Sequence, residues 1–319
     1  YVISDQSGEN EVWKRPADGL SASSQITEGG SILRFEVVPS PDGKWVAFQD
    51  KNQELWVYNL SSRKATRVAA SAIDQFSELR WSPDSRWLAY VNYADNYFSR
   101  IFVCDLKTLE VRPVTSDRWN SSSPAWSPDG AWLYFLSDRD LKSLVSSPWG
   151  TRHPEPFFDR SVGIYALSLR DGQRFPFLPF DELHPADPPS KDSPANKDDG
   201  ESNANETPLP VTITWEGLAE RLYKVPVDPG NLSGLVANGD RLFVLARPTG
   251  EDQGSLLAIE VGADALRAGR ATVKSLTDSL SSFELSADGQ RLLLRKGDNF
   301  FVVGADIDEG ADLSDGAVD

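Results

Sequence analysis

Asn120-Ser121-Ser122-Ser123-Pro124-Ala125-Trp126-Ser127-Pro128-Asp129-Gly130-Ala131-Trp132-Leu133-Tyr134-Phe135-Leu136-Ser137-Asp138-Arg139 reads as two short strands around one tight turn. Proline at 128 presets φ near −65°, glycine at 130 accepts a positive φ, and the flanks are aromatic or aliphatic runs suited to a pleated strand buried on both faces. The phrase recurs. Ser40-Pro41-Asp42-Gly43 leads into Trp45-Val46-Ala47-Phe48, Ser82-Pro83-Asp84-Ser85 into Trp87-Leu88-Ala89-Tyr90, and Ser286-Ala287-Asp288-Gly289 into Leu292-Leu293-Leu294. A degenerate copy, Asn238-Gly239, leads into Leu242-Phe243-Val244-Leu245.

Successive copies at Ser40, Ser82 and Ser127 lie 42 and 45 residues apart. A period of that length carrying four short strands is the signature of a β-propeller blade, so the expected fold is all-β, an antiparallel β-propeller of four-stranded blades. Six apolar third strands follow the turns: Glu11-Val12-Trp13, Glu54 to Tyr58, Arg100 to Val103, Gly163 to Leu167, Ser255 to Ile259 and Asn299 to Val303. Polar segments carrying Lys, Arg or Pro then close the blades at 25–27, 66–68, 111–115 and 273–277, as outer edge strands should.

The chain divides into blades at about 1–28, 32–70, 76–116, 120–227, 231–277 and 280–305, one propeller domain with an acidic tail at 306–319. Tyr1 to Asp5 matches the second strand Tyr134 to Asp138, so the first blade is expected to lack its opening strand and the last its closing one. With no Met anywhere, the chain reads as a piece of a longer protein, and a signal peptide upstream stays open. The positions held by Trp45, Trp87 and Trp132 become Arg241 and Arg291 in the weaker copies, which predicts a partly wet site. The pairs Val46/Phe48, Leu88/Tyr90, Leu133/Phe135, Leu242/Val244 and Leu292/Leu294 are the expected core; truncating one of its aromatics to Ala should cost about 3–5 kcal/mol.

The fourth blade carries two insertions. Residues 138–162, between its second and third strands, are rich in aromatics and prolines. Residues 181–210 have almost no apolar content and are expected to be disordered; either Val211–Trp215 or Arg221–Val227 then closes the blade. Propeller connectivity puts the first insertion on the same face as the loop 116–120. Arg118, Trp119, Arg139, Trp149, Arg152, His153, Phe157, Phe158 and Arg160 are therefore candidate contacts for a peptide or another domain. A loop folded back over its own blade accounts for the same residues.

Composition bounds the chemistry. With 32 basic against 48 acidic residues, a net charge of −16 and a pI of about 4.6, no basic stripe calls for a nucleic-acid partner. No apolar run approaches a membrane span. Cys104 reads as a buried, inert thiol. His153 and His184 are the only histidines; His184 opens the segment expected to be disordered, and neither stands in a nucleophile, metal-ligand or phosphate-loop motif. Asp306 to Gly310 lacks the ligand spacing of a calcium loop. Asp42, Gly43, Asp84, Asp129, Gly130, Asp288 and Gly289 are expected to be turn residues rather than a ligand ring, and neither metal nor cofactor is expected.

Pro124 to Gly130 resembles the propellers of tricorn-type proteases, TolB-like proteins and prolyl oligopeptidases. Leu133 to Arg139, Ser143 to Gly150, Pro154 to Asp159, Ile164 to Leu167, Glu216 to Arg221 and Leu292 to Phe300 resemble bacterial tricorn protease homologues more narrowly. The resemblance implies the second of two propellers, seven-bladed when intact, that gates peptides toward a PDZ-bearing serine peptidase half and docks that half. It also implies a cytoplasmic homo-oligomer, with a periplasmic location open while the N-terminus is unseen. The family's catalytic serine and histidine have no counterpart among these residues. A TolB-like interaction scaffold without a peptidase is the alternative, and a prolyl oligopeptidase lid a third.

Overall fold

A computed structural model of the chain describes residues 1–30, 32–140, 143–144, 157–185 and 209–318. It is an all-β propeller of six antiparallel blades. Blade one has the strands Val2–Ser4, Glu11–Lys14 and Ser24–Gln25; blade two has Arg34–Pro39, Trp45–Asp50, Glu54–Asn59 and Lys64–Ala70. Blade three is built from Ser77–Trp81, Trp87–Tyr93, Ser99–Asp105 and Glu110–Pro113, and blade four from Ser121–Trp126, Trp132–Ser137, Gly163–Ser168 and Leu222–Lys224. Blade five comprises Leu232–Ala237, Arg241–Ala246, Gly254–Glu260 and Val273–Leu280, and blade six Ser282–Leu285, Arg291–Lys296, Asn299–Gly304 and Ala317–Val318.

The turn motif repeats for a reason visible in its hydrogen bonds. In the copies starting at Ser40, Ser82, Ser127 and Ser286 the serine hydroxyl donates to the aspartate two residues on, at 2.5 to 2.6 Å. The same oxygen accepts the backbone N–H five residues on, at 2.9 to 3.0 Å. The aspartate in turn accepts the N–H two residues beyond itself. Two side chains thus satisfy the N–H groups of a turn that would otherwise be unpaired, which fixes the register of first and second strands. Gly43, Gly130 and Gly289 hold φ of 65°, 64° and 71°, and Ser85 takes the same left-handed conformation at 59°. The Ser85 hydroxyl accepts the Asp42 N–H at 3.0 Å, joining the turns of blades two and three.

The expected core pairs are all buried, although the second strand of blade six buries only one of its faces. Three expectations need correction, and one choice left open is decided by the strand pairing. The tryptophan position is not wet in blades three and four: Trp87 and Trp132 are buried. Trp87 donates to the Val211 carbonyl at 3.1 Å, and Trp132 packs against Phe175 and Tyr223 at ring separations of 5.8 Å, so segments of the long excursion after residue 168 cover them. Leu222–Lys224 is the closing strand of blade four, leaving Val211–Trp215 as an irregular segment laid along the seam between blades three and four. The tail is not wholly solvated: Ala317–Val318 returns to pair with Phe300–Phe301 and completes blade six. Residues 181–185 form a tight turn, in which Asp181 and His184 exchange backbone hydrogen bonds at 3.0 and 3.1 Å. The remainder of the segment expected to be disordered, 186–208, lies outside the described residues.

Two glycines separate the conformational requirement from the steric one. A Cβ on Gly43 would meet nothing within 4 Å, whereas one on Gly130 would come within 2.5 Å of Val211 Cγ2. Gly43→Ala should cost about 1–2 kcal/mol for the left-handed backbone alone. Gly130→Ala should add about 1–3 kcal/mol of overpacking, read as the difference between the two variants in denaturant unfolding.

Candidate docking face and channel wall

Loops between second and third strands and links between blades leave the propeller on one face, while the serine–aspartate turns lie on the other. Both stems of the 138–162 insertion are fastened on the former. Asp138 accepts the Asn120 N–H at 2.9 Å and its amide Nδ2–H at 2.7 Å. Asp140 receives Lys224 Nζ at 2.5 Å and the Tyr165 hydroxyl at 3.2 Å. On the return, Asp159 accepts from Asn231 at 2.8 Å and from the Thr249 hydroxyl at 2.7 Å, bonds that hold its carboxyl below the usual range. Val162 bridges Gly230. The stems therefore tie the links before blade four and before blade five.

The sequence-derived candidates separate into four groups. Arg118 and Arg160 are exposed and Trp119 is half-buried. Arg139 is instead a packing residue, its guanidinium 5.7 Å from the Phe135 ring centre and 5.1 Å from that of Tyr165, with burial lowering its pKa. Phe157–Phe158 pairs with Ser143–Leu144 in a short hairpin. Trp149, Arg152 and His153 lie outside the described residues.

Two aromatics escaped sequence reading. Tyr97 is 73% exposed and Phe98 36%, at the tip of the loop between the second and third strands of blade three. Asn96 Nδ2 donates to the Asp117 carbonyl at 2.8 Å, and the Ser99 N–H donates to Asn120 Oδ1 at 3.0 Å. These bonds bracket the loop and set Tyr97 and Phe98 beside Arg118 and Trp119. Tyr97 holds a φ of 66°, uncommon for an aromatic residue. An aromatic pair directly after Asp95-Asn96 was the available signal.

On the axis side, first strands of adjacent blades neighbour one another. Those of blades two to five each carry a bulge, with register shifts between Phe35 and Val37, Ser77 and Arg80, Ser122 and Ala125, and Ser233 and Val236. At the bulges Glu36, Glu78, Ser123 and Gly234 have φ of 48°, 55°, 51° and 68°. Glutamate in this conformation costs about 1–2 kcal/mol, which the next blade offsets. Glu36 Oε1 accepts the Leu79 N–H at 3.2 Å, and Glu78 accepts both the N–H and, at 3.1 Å, the hydroxyl of Ser123. Indole side chains reach back across the same seams, the N–H of Trp81 donating to the Val38 carbonyl at 3.0 Å and that of Trp126 to the Arg80 carbonyl at 3.2 Å. Glu11, buried in blade one, pairs with Arg34 of blade two.

Cys104 is buried, and burial pushes its thiol up to about 12. Among the described residues no group of three or more His, Cys, Asp and Glu is placed to hold a metal ion. His184 Nδ1 lies 3.0 Å from Asp181 Oδ1 and 3.0 Å from Arg174 Nη1, a clasp closing the loop that follows Phe177.

Residues 1–306 match the model of the tricorn protease second beta propeller domain. The chain belongs to that family. It is 27% identical over 299 residues to a tricorn protease homolog of Saccharolobus solfataricus, covering 91% of this chain and 25% of the relative. It is also 27% identical over 305 residues to tricorn protease homolog 1 of Streptomyces coelicolor, covering 92% and 27%. The chain thus spans about a quarter of the length of these curated relatives. Among solved structures, the tricorn protease superposes with a TM-score of 0.67 at 19% identity, over 89% of this chain and 26% of that one. TolB from Acinetobacter baumannii superposes at 0.52 and 14%, over 93% and 57%. Both likenesses show the fold. No helix among the described residues is long and apolar enough to cross a membrane.

The clasp in this tricorn second propeller predicts a local acid response. His184 first, and Arg174 with it, hold the Asp181 carboxyl down at about 2. A depressed carboxylate supports the loop above the ordinary aspartate pKa of about 3.9 and withdraws that support as pH falls through its own value. His184→Ala should raise the Asp181 titration midpoint toward the ordinary value in carboxyl-resolved NMR.

Proposed function

We propose that this propeller conducts and screens peptides for a serine-type peptidase half lying outside the chain, and docks that half through the face bearing the 138–162 insertion. The observation that carries the docking reading is the aromatic and arginine cluster of Tyr97, Phe98, Arg118 and Trp119 beside the fastened insertion stems, on a chain of net charge −16. Large aromatics and Arg at an exposed, well-supported position are the usual material of interface hot spots. Family membership supplies the partner class, since the relatives named above are tricorn protease homologues about four times as long as the matched stretch. The same likeness supports a homo-oligomeric, cytoplasmic parent protein, with a periplasmic location the alternative.

The fold likeness to TolB supports a second reading, an interaction scaffold with no peptidase attached. A PDZ module and a serine nucleophile in the flanking coding sequence favour the first reading; their absence favours the second.

Tyr97→Ala combined with Trp119→Ala should weaken association of the propeller with the peptidase half by tenfold or more, the scale of about 2 kcal/mol per hot-spot residue, with β-sheet circular dichroism unchanged. The triple change at Trp149, Phe157 and Phe158 to Ala should act the same way; loss of β-sheet signal there would make the insertion core instead. For screening, Arg80 is exposed on the first strand of blade three. Arg80→Glu in the full-length protein should slow cleavage of acidic relative to basic peptides several-fold, and an unchanged ratio would remove this wall from selection.

A further inference from the structure

The segment entering the seam between blades three and four is held through its backbone. Asp84 Oδ2 accepts the Val211 N–H at 2.7 Å, and Trp87 Nε1 donates to the Val211 carbonyl at 3.1 Å. Three residues on, the Thr214 N–H donates to the Leu169 carbonyl at 2.8 Å. Val211 and Ile213 are buried and Thr212 is exposed, the alternation of an extended chain.

The seam between blades two and three repeats this frame without a strap of its own. Asp42 and Trp45 stand at the repeat positions of Asp84 and Trp87. Leu106 stands at that of Leu169, since the two donate their N–H groups to Arg86 and Ala131, the residues before each tryptophan. Both seams carry the same indole stitch, from Trp81 to Val38 and from Trp126 to Arg80. In Asp42 and Asp84 alike, Oδ1 serves the turn and Oδ2 is left for the seam. Asp42 Oδ2 meets Lys44 Nζ at 3.1 Å, on a side chain that is 69% exposed. Among the described residues Trp45 Nε1 and the Leu106 carbonyl have no hydrogen-bond partner, and Trp45 is half-buried where Trp87 is buried.

One difference decides what fits. A Cβ on Gly130 would fall 2.5 Å from Val211 Cγ2 but 3.4 Å from Val211 Cβ. Ser85 occupies the position of Gly130, with φ of 59° against 64°, and carries that Cβ. A β-branched residue is therefore excluded opposite Ser85, whereas glycine or alanine is accommodated.

We propose that the seam between blades two and three binds a short free peptide in extended form, with glycine or alanine opposite Ser85. Asp42 accepts the N–H of that residue and releases Lys44 to solvent. Trp45 donates to its carbonyl, and the Leu106 carbonyl accepts the N–H three residues on. Main-chain bonds supply the affinity and the Ser85 wall the selection. The site is on the turn face, opposite the docking surface proposed above, and stands independently of it.

The probe is a fluorescein-labelled heptapeptide with the sequence of residues 209–215 carrying Val211→Gly. It is titrated into the full-length protein and followed by anisotropy, any serine nucleophile having first been blocked with a fluorophosphonate. The glycine peptide should bind saturably, and its valine parent at least about tenfold more weakly. Trp45→Phe removes the indole N–H and should weaken the glycine peptide about fivefold. Trp87→Phe should leave it unchanged, because Val211 occupies that seam. Ser85→Gly should admit the valine peptide, whereas Ser85→Ala, which keeps the Cβ, should not. Absence of saturable binding, or equal affinity of the two peptides for the unaltered protein, would overturn the proposal. So would indifference to Trp45→Phe, or an equal loss in Trp45→Phe and Trp87→Phe.

Discussion

The Ser127 hydroxyl, donating to Asp129 while accepting the Trp132 N–H at 2.9 Å, is the interaction on which blade four rests. Blade four is buried on both faces, so its first two strands have no solvent into which a register error could be relieved. The hydroxyl–carboxylate pair removes that freedom at the turn, and the same pair recurs in blades two, three and six. Blade five does the job differently: Asn238 Oδ1 alone accepts the N–H groups of Asp240 and Arg241 at 3.0 and 2.8 Å. Arg241 then replaces the tryptophan, and its guanidinium reaches the carbonyls of Ala305 and Ile307 at the start of the tail. A blade without the serine–aspartate pair is thereby tied to the segment that closes its neighbour.

Between blades the hydrophobic seams need polar closure, because the first strands are the inner edges of their sheets and carry backbone groups unpaired within the blade. The bulges meet that need. In blades two and three the residue turned into the left-handed region is a glutamate, Glu36 or Glu78, which aims its carboxylate at an N–H of the next blade. The indole of the strand's last residue returns a bond to the blade before, in blades three and four. The local strain of a left-handed glutamate persists because the neighbouring blade over-determines it.

How much of this was legible follows from which residues carry a local signal. The turns were, since Ser, Pro, Asp and Gly each answer a specific backbone requirement, and the alternation of the second strands named the core pairs. The glutamate bulges were not, because Glu has no preference for positive φ and only the adjacent blade explains it. Val211-Thr212-Ile213-Thr214-Trp215 misleads for a different reason: it has the period of a strand, with Val211 and Ile213 buried, yet it packs against a seam instead of pairing in a sheet. The two-residue strand Ala317–Val318 is too short for any periodicity. Its one clue was Gly316, where a Cβ would fall 2.5 Å from the Val302 carbonyl. On the face bearing the 138–162 insertion, the Arg118 and Trp119 loop could be placed from connectivity alone, whereas nothing local to Arg139 signals the Phe135 and Tyr165 rings that lie beneath it.

The two excursions of blade four divide between the two faces of the propeller, and they are fastened by different means. The later excursion returns on the turn face, where Val211 donates its N–H to Asp84 at 2.7 Å, buries its side chain beside Gly130 and covers Trp87. Trp215 meets Trp87 edge-on at 6.2 Å and lies under Arg112, so this segment acts as mortar between blades three and four. The earlier excursion is held on the opposite face by its stems, through the polar partners of Asp138, Asp140 and Asp159. Polar stems fix where a loop leaves the body without drawing it into the core, whereas apolar returns do the reverse. That opposite face is also the one on which Tyr97, Phe98, Arg118 and Trp119 collect.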